Sequence, residues 1–149
     1  MTQPEVRRIT ITDAAYKDML TLRDEVLRKP LGMSVYNDDL SKDADDIMLV
    51  AFAGDAAVGC TMLKPLGNQE LKLRQMAVSA AWQGRGIGAM LVSVAEQEAL
   101  NAGCTTIALN ARETAIAFYE RLGYKAEGPV FTEVNIPHRL MKKTWHESA

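Results

Sequence analysis

The segment at residues 76–88 constrains the fold of this chain more than any other part of its sequence. It begins as an apolar strand, passes through a short link to glycines at positions 84, 86 and 88, and continues as a helix. Because glycine has no side chain, the backbone of this turn is open to a ligand. The first four N–H groups of the following helix have no partner within the helix. Those N–H groups and the helix dipole stabilise an anion. We therefore predict that the chain binds a phosphorylated cofactor.

Length, charge and cysteine content exclude several classes of protein. With 149 residues, 48% of them hydrophobic, the chain suits one ordinary core, so we expect a single domain over residues 1–149. Because 17 basic side chains face 19 acidic ones, no nucleic-acid partner is expected. Cys60 and Cys104 form no metal-ligand motif and the N-terminus has no signal-peptide run, which predicts reduced thiols, no metal and a cytoplasmic location. No apolar stretch approaches the ~20 residues of a bilayer span, so no membrane partner is expected.

Apolar periodicity alternates between strand-like and helix-like segments along the chain. Asp13 is expected to cap the first helix and Thr114 the last, and Gly103 to close the middle one. The order is typical of an α/β (α+β) fold with a mixed, mostly antiparallel central sheet and helices on both faces. Strands are predicted at residues 6–11, 47–52, 56–63, 71–78, 105–109, 130–134 and 139–143, and helices at 14–28, 88–102 and 114–123.

The strand before the glycines has an irregular apolar alternation. Leu71 and Leu73 occupy odd positions, whereas Met76 and Val78 continue the pattern on even positions. A one-residue slip near residues 74–75 predicts a β-bulge, which bends a strand and leaves backbone N–H groups unpaired. We expect this strand to splay from its neighbour and to open a slot for an extended ligand arm.

Two motifs of this chain occur together in one known family. The run Gln83-Gly84-Arg85-Gly86-Ile87-Gly88 fits the pattern Gln/Arg-x-x-Gly-x-Gly/Ala, and a strand ending in Asn110 and a helix over residues 117–124 follow it. In this the chain resembles the GNAT superfamily of N-acetyltransferases. The resemblance covers essentially the whole chain, is strongest over residues 71–124, and at residues 22–28 and 131–138 is similar to a bacterial branch. It implies the acyl-CoA N-acyltransferase fold, with a splayed strand pair.

The resemblance implies acetyl-CoA as donor and direct attack on its thioester by a primary amine of a small molecule or a lysine side chain. Tyr119 resembles the tyrosine that protonates the departing thiolate, which needs a proton donor in a partly buried slot. Asn110 resembles the asparagine that bonds to the cofactor arm, and Arg112 and Arg121 are expected within reach of the outer phosphates. The cofactor-binding residues carried over are Met76, Ala77, Val78, Gln83, Gly84, Arg85, Gly86, Ile87, Gly88, Ala89, Asn110, Tyr119 and Arg121.

The general base is the least determined part of the predicted site. An alkyl ammonium with a pKa of about 10.4 is neutral in about one molecule in 10³ at neutral pH, a cost of roughly 4 kcal/mol. Several family members carry a glutamate on the bulged strand where this sequence has Lys72. Glu133 and His138 flank a turn predicted at residues 135–137 and are the catalytic candidates, although a surface salt bridge explains them equally well. Glu70 and a chain of water molecules stay open as alternatives.

The segment between the first helix and the second strand is rich in carboxylates. Such a set near a pocket would attract a cationic amine, whereas a solvated acidic loop is the simpler explanation. Arg23 falls on the apolar stripe of the first helix, where we expect its charge to reach water, with a place at the acceptor site as the alternative. The carboxylates are those of Asp38, Asp39, Asp43, Asp45 and Asp46.

Other interpretations accompany these assignments. Residues 84–89 also fit the dinucleotide fingerprint G-x-G-x-x-A, but an oxidoreductase of that type needs an acidic residue where the next strand ends in Leu109-Asn110. A non-catalytic domain that senses acyl-CoA or binds a partner is the second rival. Tyr119 taken alone also fits a core aromatic, and the glycines fit a tight turn. The apolar C-terminal strands are compatible with a homodimer.

Overall fold

The computed structural model describes residues 3–145, which form a seven-stranded sheet flanked by helices. The elements are β1 (Glu5–Ile9), α1 (Ala15–Arg23), β2 (Ile47–Ala53), β3 (Ala56–Gly67), β4 (Glu70–Val78), α2 (Ile87–Asn101), β5 (Thr106–Arg112), α3 (Ile116–Arg121), β6 (Lys125–Glu133) and β7 (Ile136–Thr144). The strand order is β1-β2-β3-β4-β5-β7-β6, in which β4 and β5 are parallel and the other neighbours are antiparallel. This mixed, mostly antiparallel sheet confirms the predicted fold class.

Two separate apolar clusters hold the helices on opposite faces of the sheet. On one face, α2 and α3 pack against strand residues such as Leu71, Leu73 and Met141. On the other face, α1 buries Met19 and Leu22 against residues of β1–β4. Within residues 3–145, α1 packs mainly on β3 and β4, so β5 and β7 lie beside it without helical cover on that face.

The first strand and the start of the first helix differ from the predicted ones. β1 ends at Ile9 instead of Ile11, because its pairing with β2 stops there. Asp13 does not cap α1. Its carboxylate accepts a hydrogen bond from the Thr10 N–H at 2.6 Å and closes the turn between strand and helix, while Ala14 stands at the helix N-terminus.

The helix predicted over residues 14–28 changes its geometry part of the way along. It is α-helical to Arg23 and then widens into a π-helical turn over Asp24–Arg28. In this turn the buried carboxylate of Asp24 accepts a hydrogen bond from the N–H of Val35 at 2.8 Å. The turn is therefore tied to the segment that follows, and it faces the open half of the sheet.

The last helix begins later than predicted. β5 continues to Arg112 instead of Leu109, because β7 pairs with it as far as His138. A 3₁₀ turn over Glu113–Ala115 follows, and the Thr114 side chain makes no capping hydrogen bond to α3. The predicted cap at Thr114 is therefore wrong.

The turn of the C-terminal hairpin begins one residue earlier than predicted. Val134 and Asn135 have φ of 45° and 63°, so two left-handed residues connect the strands and Glu133 pairs with Ile136. The predicted turn at residues 135–137 is wrong, and both strands are longer than predicted. This register brings Glu133 and His138 to the same end of the hairpin.

Candidate active site

β4 and β5 pair at one end and separate at the other. Their parallel pairing runs from Glu70–Thr106 to Leu73–Leu109 and then stops, although both strands continue. Beyond that point β4 carries the predicted bulge, with two residues opposite the single Thr61 of β3 and Gln75 at a φ of 56°. A bulge bends its strand, so β4 turns away from β5 and a slot opens between them. The predicted splayed pair is confirmed.

A cavity of about 780 Å³ occupies this slot. Three of the predicted site residues lie outside its lining. Ala77 is buried on the face that α1 covers, Arg85 stacks its guanidinium 4.0 Å from the centroid of the Trp82 ring, and Arg121 is exposed at the end of α3. The predicted residues that line the cavity are Met76, Val78, Gln83, Gly84, Gly86, Ile87, Gly88, Ala89, Asn110, Tyr119, Glu133 and His138.

The glycine loop before α2 forms one end of the cavity. Gly84 and Gly86 have φ of 74° and 84°, which other residues rarely adopt, and no atom lies within 4 Å of a Cβ built there. Gly88 is required for close packing, because a Cβ there would lie 3.0 Å from a phenylalanine ring of α3. Met90 donates the first backbone bond of the helix to Gly86, so the N–H groups of residues 87–89 precede the helical ladder. The loop fits a diphosphate on its bare amides.

Tyr119 stands on α3 at the cavity wall. The residue is 6% exposed, and its ring packs edge-on against Phe118 and Tyr124 at centroid distances of 4.9 and 5.9 Å. Burial raises the pKa of the Tyr119 phenol well above its usual range, because a phenolate would lose its hydration there. The hydroxyl therefore stays protonated at neutral pH, and Tyr119 faces the cavity as a donor.

His138 and Glu133 meet at the wall that the C-terminal hairpin forms. His138 is 5% exposed, and its Nδ1 lies 2.7 Å from the carbonyl oxygen of Ile136. Because a carbonyl only accepts, Nδ1 carries a proton, so the neutral tautomer that fits this contact has Nε2 free to accept one. Nε2 lies 3.8 Å from Oε2 of Glu133. The arrangement lets Nε2 accept a proton while the carboxylate stabilises the resulting imidazolium.

Glu70 is placed differently from these two candidates. It begins β4 at the end where the strands are still paired, and its Oε1 lies 3.3 Å from Nζ of Lys142. It is not part of the cavity lining in the described residues. An acid–base role for Glu70 in this cavity therefore has no geometric support.

The cavity also contains side chains that sequence reasoning missed. Arg28 reaches it from the π-helical turn, together with Val26 and Leu27, and Lys72 and Arg74 reach it from β4. The sequence does indicate that Lys72 and Arg74 face away from the core, because they alternate with leucines that enter the core on the other face. The sequence gives no such indication for Arg28, since no local pattern predicts the widened geometry of the π-helical turn.

Arg23 and part of the acidic segment form a buried ion cluster. Arg23 and Asp43 are each 1% exposed, and Nη1 of Arg23 donates to Oδ2 of Asp43 at 2.8 Å. The hydroxyl of Tyr16 donates to the same oxygen at 2.7 Å. The expectation that the charge of Arg23 reaches water is wrong, because the acidic segment folds over it and supplies its counter-ion.

Two further carboxylates of that segment are also engaged by arginines. Asp38 accepts hydrogen bonds from Arg28 at 3.1 and 3.0 Å, and Oδ2 of Asp46 lies 3.5 Å from Nε of Arg74. The acidic segment is therefore not a simple solvated loop. A carboxylate already paired with an internal arginine is also a poor attractant for a cationic substrate.

The observed sheet also bears on the alternative functions. A dinucleotide-binding sheet is mostly parallel, whereas one pair of neighbours is parallel here, so the dinucleotide hypothesis loses its structural context. Among residues 3–145, no group of three or more His, Cys, Asp or Glu side chains is placed to hold a metal ion. Within the same described range, no helix has the length and apolar character that crossing a bilayer requires.

Several known proteins are similar to this chain in sequence or in fold. The uncharacterized N-acetyltransferase YjcF of Bacillus subtilis (strain 168) is 27% identical over 130 residues, covering 85% of this chain and 91% of that protein. The crystal structure of an acyl-CoA N-acyltransferase from Pseudomonas aeruginosa has a TM-score of 0.79 at 23% identity, covering 97% of this chain and 100% of that chain. An aminoglycoside 6'-N-acetyltransferase complexed with coenzyme A has a TM-score of 0.75 at 22% identity, covering 94% and 96% of the two chains.

The fold and the family model agree on what kind of protein this is. The structural neighbours are similar in fold, with identities too low to carry more than that. The model of the acetyltransferase (GNAT) family matches residues 14–124, which include the bulged strand, the glycine loop and Tyr119. The chain therefore belongs to the acetyltransferase (GNAT) family and is an acetyl-CoA-dependent acetyltransferase.

Proposed function

We propose that the protein transfers an acetyl group from acetyl-CoA to a primary amine, carried by a small molecule or a lysine side chain. The observation that carries the proposal is the slot between β4 and β5, which has bare amides at one end and Tyr119 and His138 in its walls. The coenzyme A complex of the aminoglycoside 6'-N-acetyltransferase, which shares this fold, supports the same use of the slot.

The donor half of the slot is built to hold an extended, phosphorylated arm. The N–H groups of residues 87–89 would take the diphosphate, and the space above Gly84 and Gly86 is open for it. The backbone of residues 76–78 is unpaired toward β5 and would pair with the arm, with Asn110 on the other side of the slot. When bound, acetyl-CoA supplies an acyl carbon that is activated as a thioester.

The side chains in the walls would move the two protons of the reaction. Nε2 of His138 takes a proton from the acceptor ammonium, and Glu133 stabilises the imidazolium charge from 3.8 Å. The amine nitrogen then bonds to the acyl carbon while the carbon–sulfur bond breaks. Tyr119 donates its hydroxyl proton to the departing sulfur, and the second proton of the amine nitrogen, which becomes acidic as the amide forms, restores the buried phenol.

Ligand-dependent thermal stability tests the donor half. A ligand that binds the folded state alone adds about 2.7 kcal/mol at 100 times its dissociation constant, so acetyl-CoA should raise the melting midpoint by several degrees. NAD at the same concentration should leave the midpoint unchanged. Equal indifference to both ligands would remove the proposed donor site.

Thiol release over a panel of amines tests the chemistry. Tyr119→Phe should lower kcat by about 10²-fold or more, because a positioned proton donor contributes that much. Tyr124→Phe is the matched control, since the Tyr124 hydroxyl donates to Glu96 at 3.0 Å and lies outside the cavity lining. Equal kcat values for Tyr119→Phe and the parent would exclude the acid role. Tight acetyl-CoA binding without thiol release from any amine would favour a non-catalytic acyl-CoA sensor.

A further inference from the structure

We infer that the amine acceptor carries a second, anionic group, a carboxylate or a phosphate, which binds at Lys72 and Arg112. The inference rests on the proposed function, because it concerns the acceptor half of the same cavity. In the described lining, the cations are Arg28, Lys72, Arg74 and Arg112, and the single carboxylate is that of Glu133. The lining of the cavity therefore carries an excess of positive charge.

Two of the four cations already have counter-ions. Arg28 donates two hydrogen bonds to Asp38, at 3.1 and 3.0 Å. Arg74 lies 3.5 Å from Asp46 and 3.9 Å from Asp43. In contrast, no carboxylate of residues 3–145 forms an ion pair with Lys72 or Arg112. The uncompensated charge of the cavity therefore resides on these two side chains.

The strand register places both side chains on the acceptor face of the sheet. Leu109 and Ala111 enter the core under α2, so Arg112 projects to the opposite face, where it is the direct cross-strand neighbour of His138. Lys72 alternates with leucines of the same core and projects to that face as well. Arg112 was expected near the outer phosphates of the donor, but this register puts it beside the base.

An anionic group of the acceptor would complete this arrangement. A charge-assisted hydrogen bond is among the stronger polar contacts, and a partly enclosed cavity strengthens it further. Val26 and Leu27 of the π-helical turn also line the cavity and offer an apolar wall for an aliphatic spacer of the acceptor. A second cationic group would instead meet Lys72 and Arg112, while the nearby aspartates are engaged by arginines.

Matched acceptors test the inference. The pairs are β-alanine with β-alaninamide, 6-aminohexanoate with 6-aminohexanamide, and phosphoethanolamine with ethanolamine. In at least one pair, kcat/KM for the anionic member should exceed that of its neutral partner by about tenfold or more. Raising the ionic strength should reduce the preference, since screening weakens exposed charge pairs. Equal or better turnover of the neutral member in every pair would overturn the inference and leave the proposed function intact.

Substitutions assign the preference to the two side chains. Lys72→Gln and Arg112→Gln should each raise KM for the anionic member several-fold more than KM for its neutral partner. Lys17→Gln, an exposed position on α1, is the control and should keep the preference. A preference that survives in the Lys72→Gln/Arg112→Gln double variant would place the anion elsewhere and contradict the inference.

If no amine of the panel releases thiol, the proposed function is wrong. The anion site is then tested by measuring ligand binding instead of turnover. Each probe is then added to protein saturated with coenzyme A, and the melting midpoint is measured. Higher midpoints with the anionic probes than with their neutral partners, lost in the double variant, would support the anion site alone. No difference between the partners would overturn it.

Discussion

The two ends of the cavity are built in different ways. The donor end is backbone, with Gly84, Gly86 and the N–H groups of residues 87–89 in one continuous stretch. The acceptor end is made of side chains that five separate elements supply, from Arg28 before β2 to His138 on β7. A backbone site depends on local conformation, whereas a side-chain site depends on the packing that brings distant residues together. Substitutions at the two ends should therefore have separable effects.

The largest effect is expected at the acceptor end, from His138→Ala. Loss of a positioned base should lower kcat by about 10²- to 10⁴-fold, because the acceptor ammonium then loses its proton only to water. The dissociation constant of acetyl-CoA should stay unchanged, since the glycine loop is formed by other elements. Single-turnover thiol release and acetyl-CoA titration measure the two quantities.

Glu133→Gln is the comparison variant for the base. It keeps the size of the side chain and removes the charge 3.8 Å from Nε2, so the loss in kcat should be smaller than for His138→Ala. If His138 removes the proton, the pH–rate profiles of the parent and of His138→Ala should differ. An unchanged pH–rate profile in that variant would assign proton removal to water.

The next effect is on stability, from Arg23→Ala beneath the acceptor end. Removing Arg23 takes the close counter-ion from the buried Asp43 and leaves it with Arg74 at 3.9 Å, which costs about 3–5 kcal/mol of unfolding free energy. The double variant Arg23→Met/Asp43→Leu should recover most of this loss, because neither charge then remains buried. Urea unfolding measures both, and a loss in Arg23→Ala below about 1 kcal/mol would show that the cluster is hydrated.

The sequence predicts the donor end of the cavity better than the acceptor end. The register slip between Leu73 and Met76 predicts the bulge and the splayed strands, and the alternate glycines predict the turn at the donor end. Both depend on residues close in sequence, where strand periodicity and glycine conformation are strong constraints.

The acceptor end depends on features that local patterns do not contain. Arg23 is usually a residue whose charge reaches water, and its burial requires a carboxylate 20 positions away. The π-helical turn that brings Arg28 to the cavity replaces an ordinary helix end. The hairpin turn places a β-branched valine, Val134, at a φ of 45°, which residue preference argues against. Tertiary contacts decide each of these positions.

Alkaline pH distinguishes the buried cluster from the rest of the fold. Burial, together with the hydrogen bond to Asp43, raises the pKa of Tyr16 to about 12. The phenol is protonated more readily in the folded state, so its stabilisation is complete below pH 10 and is lost as the pH rises through about 12. Tyr16→Phe should cost about 2 kcal/mol at pH 7, the scale of a hydrogen bond to a charged group.

The change with pH in the stability cost of Tyr16→Phe tests the hydrogen bond from Tyr16 to Asp43. Other tyrosines titrate in both proteins, so the difference in unfolding free energy between the parent and Tyr16→Phe isolates this side chain. The difference should shrink steadily above pH 10, measured by urea unfolding at intervals of half a pH unit. A difference that stays constant to pH 12 would mean that the Tyr16 hydroxyl does not donate to Asp43.

The smallest effect on stability, and a specific one on binding, is expected at the donor end from Gly86→Ala. Gly67, the last residue of β3, has a φ of 83° against 84° for Gly86, and no atom lies within 4 Å of a Cβ at either position. Each alanine should therefore cost about 1 kcal/mol of strain. Gly86→Ala should also weaken acetyl-CoA binding about tenfold, because its Cβ enters the space above the amides, whereas Gly67→Ala should not. Equal acetyl-CoA affinities in the two variants, measured by calorimetry, would place the diphosphate away from the glycine loop and remove the distinction between the two ends of the cavity.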